Sequence, residues 1–183
     1  MSSPSLCLPS YHWRVPLLEN AVWVGVYLLG AAILWLLHPL AAAAYLAYSL
    51  VCMYLLVPRL VCTSCSYYGQ TCHSGQGRIA SLLYSPRPHR SFPSRFRHMR
   101  LAAPVFLAPL LAGGLLLVLH FSLARVVLTV LFGILALGVT RFVTTRLGCP
   151  RCQQRHVCPP TNAPLLPQRP EPLFKVPNKP ASA

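Results

Sequence analysis

Four long apolar runs dominate the chain. The first is Ala21 to Leu37 (AVWVGVYLLGAAILWLL), and His38-Pro39 separates it from the second, Leu40 to Val57 (LAAAAYLAYSLVCMYLLV). The third is Leu101 to Leu119 (LAAPVFLAPLLAGGLLLVL), and the fourth is Phe121 to Val143 (FSLARVVLTVLFGILALGVTRFV). Each can cross a hydrocarbon core of roughly 30 Å at about 1.5 Å per residue. Lipid offers no water to backbone amides, so such runs are predicted as helices. Pro104, Pro109 and Gly113-Gly114 predict a kink or a close helix contact in the third run. Arg125 and Arg141 lie near the ends of the fourth, where they can snorkel.

The polar positions fall between and beyond these runs. Met1 to Leu18 is polar and proline-punctuated, without the basic start and small-residue cleavage pattern of a signal peptide. Its Tyr11 and Trp13 are expected as interfacial anchors. The long connection Pro58 to Arg100 carries seven arginines: Arg59, Arg78, Arg87, Arg90, Arg95, Arg97 and Arg100. From Thr144 onward come Arg146, Arg151, Arg155, Arg169, Lys175 and Lys179. The two other connections are short and almost uncharged. Excess Lys and Arg marks the cytosolic side, so both termini and the long connection are expected there, in a multi-pass protein of the cell membrane.

The chain reads as two copies of one plan. Each copy is a span, a tight turn with a histidine (LLHPL, VLHFS), a second span, an arginine, then a cysteine module (PRLVCTSC, TTRLGCPRC). The boundaries follow. Residues 1–80 form the first hairpin repeat, with spans at about 21–37 and 40–57 and a cysteine module at 62–77. Residues 81–100 are a basic loop. Residues 101–159 form the second repeat, with spans at about 101–119 and 121–143 and a module at 149–158. The proline-rich stretch 160–183 is expected as a disordered tail. The fold class is all-α: an integral membrane four-helix bundle of two hairpin repeats with a cysteine-rich cytosolic cap.

Composition sharpens the picture and removes several chemistries. The 183 residues are 55% hydrophobic and only 10% charged, against about 25% charged in soluble domains. The charge is +14, from 16 Lys+Arg and 2 Asp+Glu. No nucleic-acid recognition motif accompanies it, so membrane lipid is the expected partner and nucleic acid is disfavoured. The basic run Ser81 to Arg100 also suits a protein partner. There is no Asp, and the two acids are Glu19 and Glu171. Paired-carboxylate catalysis, a Ser-His-Asp triad and a carboxylate-lined Mg²⁺ or Ca²⁺ site therefore have nothing to work with. No acid lies in mid-span, where ion-coupled transporters usually carry one.

The chemistry that remains is sulfur. The spacings are Cys62-x2-Cys65-x6-Cys72 and Cys149-x2-Cys152-x5-Cys158, with Cys7 and Cys52 standing alone. Cys52 reads as a small apolar residue of a helix. Structural disulfides are disfavoured on a reducing side of the membrane. A thioredoxin-like pair wants a helix N-terminus, whereas these motifs follow helix C-termini. Metal binding is the leading reading, since two CxxC turns can complete a tetrahedral thiolate site; the best set is Cys62, Cys65, Cys149 and Cys152. Cys72 and Cys158 exceed what one zinc ion uses, which keeps an iron–sulfur cluster open as the cofactor. His73 and His156 could substitute as ligands, but read first as solvent-exposed residues beside the modules. Gly69, Gly75 and Gly77 are expected to relieve positive φ and to let amides approach sulfur.

The string CTSCSYYGQTCHSGQG, Cys62 to Gly77, resembles a pattern of small cysteine-rich polytopic membrane proteins of bacteria, an uncharacterised family. The resemblance extends more loosely to Cys149 to Pro159. It implies a class of protein and no activity.

His38 and His120 occupy matching turns. They read as interfacial residues capping helix C-termini, or as axial ligands of a haem held in the bundle. The leading function is a metal-capped structural or regulatory module acting through a partner or lipid. The alternative is an electron-transfer protein with an iron–sulfur cluster, with or without haem or quinone. A thiol oxidoreductase is a third reading, so an enzymatic role stays open through redox chemistry, and no residue argues for a lipid-modifying one.

Overall fold

The computed structural model describes residues 8, 10–143, 146, 148, 152 and 153. Cys7, Cys149, His156, Cys158 and the stretch 160–183 lie outside the described residues. The described chain is all-helical. α1 is Arg14–Trp35, α2 Pro39–Val51, α3 Val57–Leu60, α4 Gln76–Leu83 and α5 Phe92–Phe96. α6 is Ala103–Leu119, α7 Leu123–Gly133 and α8 Thr140–Val143. Four helical stretches are long and apolar enough to cross a membrane: Arg14–Trp35, Pro39–Ser64, His89–Leu119 and Leu123–Val143. The protein is a cysteine-rich, multi-spanning, all-helical membrane protein.

Two of these stretches begin earlier than the apolar runs. α1 starts at Arg14, seven residues before Ala21, and takes in buried Glu19 and half-buried Asn20. They face the cysteine-bearing loop, as described below. The third stretch takes in much of the basic segment, through 3₁₀ turns at His89–Ser91 and Arg97–Ala102 around α5.

The second and fourth stretches each pass through one π-helical segment. Cys52–Leu56 joins α2 to α3, where the Val57 amide reaches back five residues to the Cys52 carbonyl. Pro58 follows in α3 and would crowd the carbonyl four residues earlier, so a widened turn there relieves the clash. Ile134–Val139 joins α7 to α8, with the Thr140 amide on the Leu135 carbonyl. The Thr140 hydroxyl donates to the Ala136 carbonyl.

α1 is the hub of the bundle, packing against α2, α6, α7 and α8. Its side of the core contributes Val26, Tyr27, Ile33 and Leu34, facing Ala42 and Tyr45 of α2, Val105, Ala112 and Leu116 of α6, and Phe132 of α7. Small residues set the helix spacing. A Cβ on Gly30 would come within 2.7 Å of the Tyr45 ring, and one on Gly113 within 2.6 Å of the Thr129 hydroxyl. The close contact expected of Gly113-Gly114 thus belongs to Gly113; a Cβ on Gly114 would meet nothing within 4 Å. α6 runs on through Pro109 without a break in its helical assignment.

Many other large aliphatic side chains point outward. Leu111 is 72% exposed and Val118 83%. An exposed apolar surface of this extent would drive a water-soluble bundle to aggregate, and it suits contact with lipid chains.

Candidate functional site

The first cysteine module begins where the second span ends. A 3₁₀ turn over Cys62–Ser64 continues α3, and the Cys65 amide donates to the Cys62 carbonyl at 3.1 Å. This tight bend carries both thiols of the CxxC pair, as a metal knuckle requires. Cys65 and Cys72 lie close enough to Cys62 for their thiolates to interact with it electrostatically. Cys62 packs against the membrane core, and its Sγ donates to Gln76 Oε1 at 3.7 Å.

The glycines act here as their positions predict. Gly69 has φ +78° and Gly75 φ +75°, both left-handed. Gly77 has ordinary φ but passes against the chain: a Cβ would strike the Tyr67 carbonyl and lie 2.8 Å from that of Gln70. The Gly69 amide donates to the Gly77 carbonyl at 3.0 Å. That fold-back points the Gly77 amide at Cys72 Sγ, 3.4 Å away. Such an amide–sulfur contact is what the glycine pattern predicts.

Tyr67 organises the surroundings. It is 1% exposed and forms a cluster with Tyr11 and Cys72, against which Leu8, Val15, Cys65 and Cys152 pack. Its hydroxyl donates to the Leu8 carbonyl at 2.8 Å and accepts from the Gln153 amide at 3.2 Å. Gln153 Nε2 also donates to the Leu8 carbonyl, at 3.1 Å. The Tyr11 amide donates to the Thr71 carbonyl, and its hydroxyl to the carbonyl of Gly148 at 2.6 Å. Tyr11 is therefore buried in this cluster rather than anchored at the interface; Trp13, 60% exposed, keeps that expectation. These contacts bring residues from both ends of the sequence to the first module.

His73 is not a solvent-exposed loop residue either. Its Nε2 lies 3.7 Å from Glu19 Oε1, its ring meets Tyr11 edge-on, and it leaves no room for a side chain at position 148. Its neighbour follows suit: Asn20 Nδ2 donates to the Ser74 carbonyl at 3.1 Å, and Asn20 Oδ1 accepts from the Tyr54 hydroxyl at 3.0 Å. So the loop is tied to α1 through Glu19 and Asn20. Opposite, the basic segment folds onto the same knuckle. The Arg87 amide donates to the Thr63 carbonyl at 2.8 Å, His89 Nδ1 lies 3.1 Å from the Ser64 carbonyl oxygen, and the Ser91 and Ser64 hydroxyls bond at 3.1 Å.

Of the six clustered cysteines, the structure places four: Cys62, Cys65, Cys72 and Cys152. Cys149 and Cys158 lie outside the described residues. Among the described residues, no set of three or more His, Cys, Asp or Glu side chains has the geometry to hold a metal ion. Cys52 is fully buried in the second span, with Sγ donating to the Leu101 carbonyl at 3.4 Å.

His38 and His120 sit exposed at the opposite turns. His38 caps differently from expectation. Its backbone amide closes α1 on the Leu34 carbonyl, but its Nδ1 accepts the Leu40 amide at 3.2 Å and so caps the start of α2. His120 closes α6 through its amide on the Leu116 carbonyl, and its own carbonyl accepts from the Arg125 guanidinium.

The class of protein these features define is a cysteine-rich polytopic membrane protein. No protein-family model, curated protein or solved structure matches the chain.

Proposed function

We propose that the cysteine modules bind one thiophilic metal ion, zinc first, and that this clasp ties the two hairpins together on the cytosolic face. The observation that carries this reading is the gathering of Cys65, Cys72 and Cys152 around buried Tyr67, with Cys62 within electrostatic reach of Cys65 and Cys72 and an amide directed at the Cys72 sulfur. The ligand set is Cys62 and Cys65 from the first knuckle and Cys149 and Cys152 from the second. Cys72 and Cys158 are the reserve ligands. Two CxxC turns supply four thiolates at the softness and number that zinc takes. Hairpins in lipid lack the hydrophobic driving force that joins helices in water, so a cross-link at their ends adds stability where it is scarce. In this reading the protein acts as a structural or regulatory module through lipid or a partner.

The test is elemental analysis with a visible spectrum, on detergent-purified protein prepared without air. Colourless protein with one zinc per chain supports the clasp. Iron with sulfide, and a visible band that dithionite bleaches, would replace it by electron transfer, with His38 and His120 as the next residues to vary. Metal-free protein that unfolds identically with and without chelator would end both readings.

A further inference from the structure

A second site lies beside the cysteine module and uses none of its thiols. α4 packs against α3, at the end of the second span. Between α3 and the chain leaving α4 is an open crevice of about 430 Å³, lined by Arg59, Thr63, Leu83, Tyr84, Ser85 and Arg87 among others. Both arginines are exposed, and among the described residues neither has an acidic partner. The rim is fixed by backbone contacts: the Arg87 amide is held by Thr63, and the Tyr84 carbonyl accepts from the Tyr68 hydroxyl at 2.6 Å.

The apolar surroundings say from which side a ligand comes. Leu55 lies one turn before Arg59 on the same helix face and is exposed, so that face is turned to lipid. Leu82 and Leu83 at the end of α4 are 77% and 52% exposed. Leu83 lines the crevice with the two arginines and Leu82 precedes it, so bare apolar surface adjoins the guanidiniums at the end of a span, the combination an interfacial lipid offers partners to. Seven arginines and no acid between Pro58 and Arg100 give the whole segment the complementary sign.

The geometry points to a binding site for the phosphate of an anionic phospholipid, held between Arg59 and Arg87 with Leu82 and Leu83 along its acyl chains. Two guanidiniums can each offer a paired N–H fork to phosphate oxygens. The inference rests on the membrane placement of the helices and is independent of the metal.

The experiment uses the full chain in detergent, incubated with phosphatidylglycerol or phosphatidylcholine and read by native mass spectrometry for retained lipid. Wild type is expected to keep a phosphatidylglycerol through washing and to shed phosphatidylcholine. Arg59→Gln with Arg87→Gln is expected to weaken retention about tenfold. Arg90→Gln with Arg97→Gln removes equal charge outside the crevice and is expected to match wild type. Equal loss in the two pairs would overturn the site in favour of diffuse attraction. So would equal retention of the two lipids by wild type, or displacement of phosphatidylglycerol by millimolar inorganic phosphate, which would mark a free-anion site. The wild-type comparisons decide the matter even where the double variant does not fold.

Discussion

The Tyr45 hydroxyl donates to the Val105 carbonyl at 3.1 Å. That carbonyl is the one left without a helical donor by Pro109, four residues later and lacking an N–H. A tyrosine of the second span thus completes the backbone of the third. The pattern repeats one turn on, where Tyr48 and Cys52 both donate to the Leu101 carbonyl. In a 3₁₀ register that carbonyl would pair with residue 104, which is also proline. Unsatisfied carbonyls are costly in lipid, so the two prolines and the two tyrosines work as matched sets.

Tyr45→Phe is therefore expected to destabilise the protein by roughly 1 kcal/mol in a detergent unfolding titration. Pro109→Ala restores a helical N–H for Val105. In that background Tyr45→Phe should cost much less, and the double-mutant cycle measures the coupling. Additive effects of the two substitutions would show that the hydroxyl and the proline are unrelated.

The paired glycines of α6 separate cleanly. Gly113→Ala drives a methyl into Thr129 across the α6–α7 contact and is expected to cost about 1–3 kcal/mol. Gly114→Ala meets open space and should be neutral or slightly stabilising, since alanine favours the helix. The same unfolding titration on the two single variants checks both, and equal effects would contradict the helix register described above.

How much of this could be read beforehand depends on the range of the interaction. The spans were legible because each is a continuous apolar run, and lipid leaves helix as the outcome. Gly69, Gly75 and Gly77 were legible because a local turn around sulfur has local requirements. The start of α1 was not: Glu19 and Asn20 look like the edge of a span until His73 and Ser74 are seen against them. Tyr11 looked like an interfacial aromatic for the same reason, and nothing local singled out Tyr67. Their partners, Gly148 and Gln153, are more than eighty residues away. The Tyr45–Val105 bond needs the packing of two helices sixty residues apart, which no local pattern carries.

Tyr67→Phe tests whether one hydroxyl holds the two modules together. It keeps the ring in the Tyr11–Cys72 cluster and removes the contacts to Leu8 and Gln153. Faster alkylation of Cys152 by a maleimide is expected, with the unfolding midpoint shifted by an amount equivalent to about 1–3 kcal/mol. An unchanged labelling rate would place the docking energy in apolar packing alone.

The thiols themselves are the last and most direct test. Cys62→Ser and Cys149→Ser each remove one ligand of the proposed set, and serine is a poor substitute for thiolate at a soft metal. Both are expected to lower bound zinc to well below one per chain and to reduce the unfolding midpoint. Addition of a chelator to wild type should give the same lower midpoint, because metal that binds only the folded state contributes its binding free energy to stability. Cys52→Ser differs in kind. Its hydroxyl can replace the thiol as donor to the Leu101 carbonyl, and it lies in the membrane core rather than at the knuckle. It is expected to keep full metal content. Cys72→Ser separates the ligand models: retained zinc assigns Cys72 to the reserve, whereas its loss would make the amide-bonded sulfur beside Gly77 a ligand in place of one from the second module. Equal metal content in the Cys52, Cys62 and Cys149 variants would remove the site altogether.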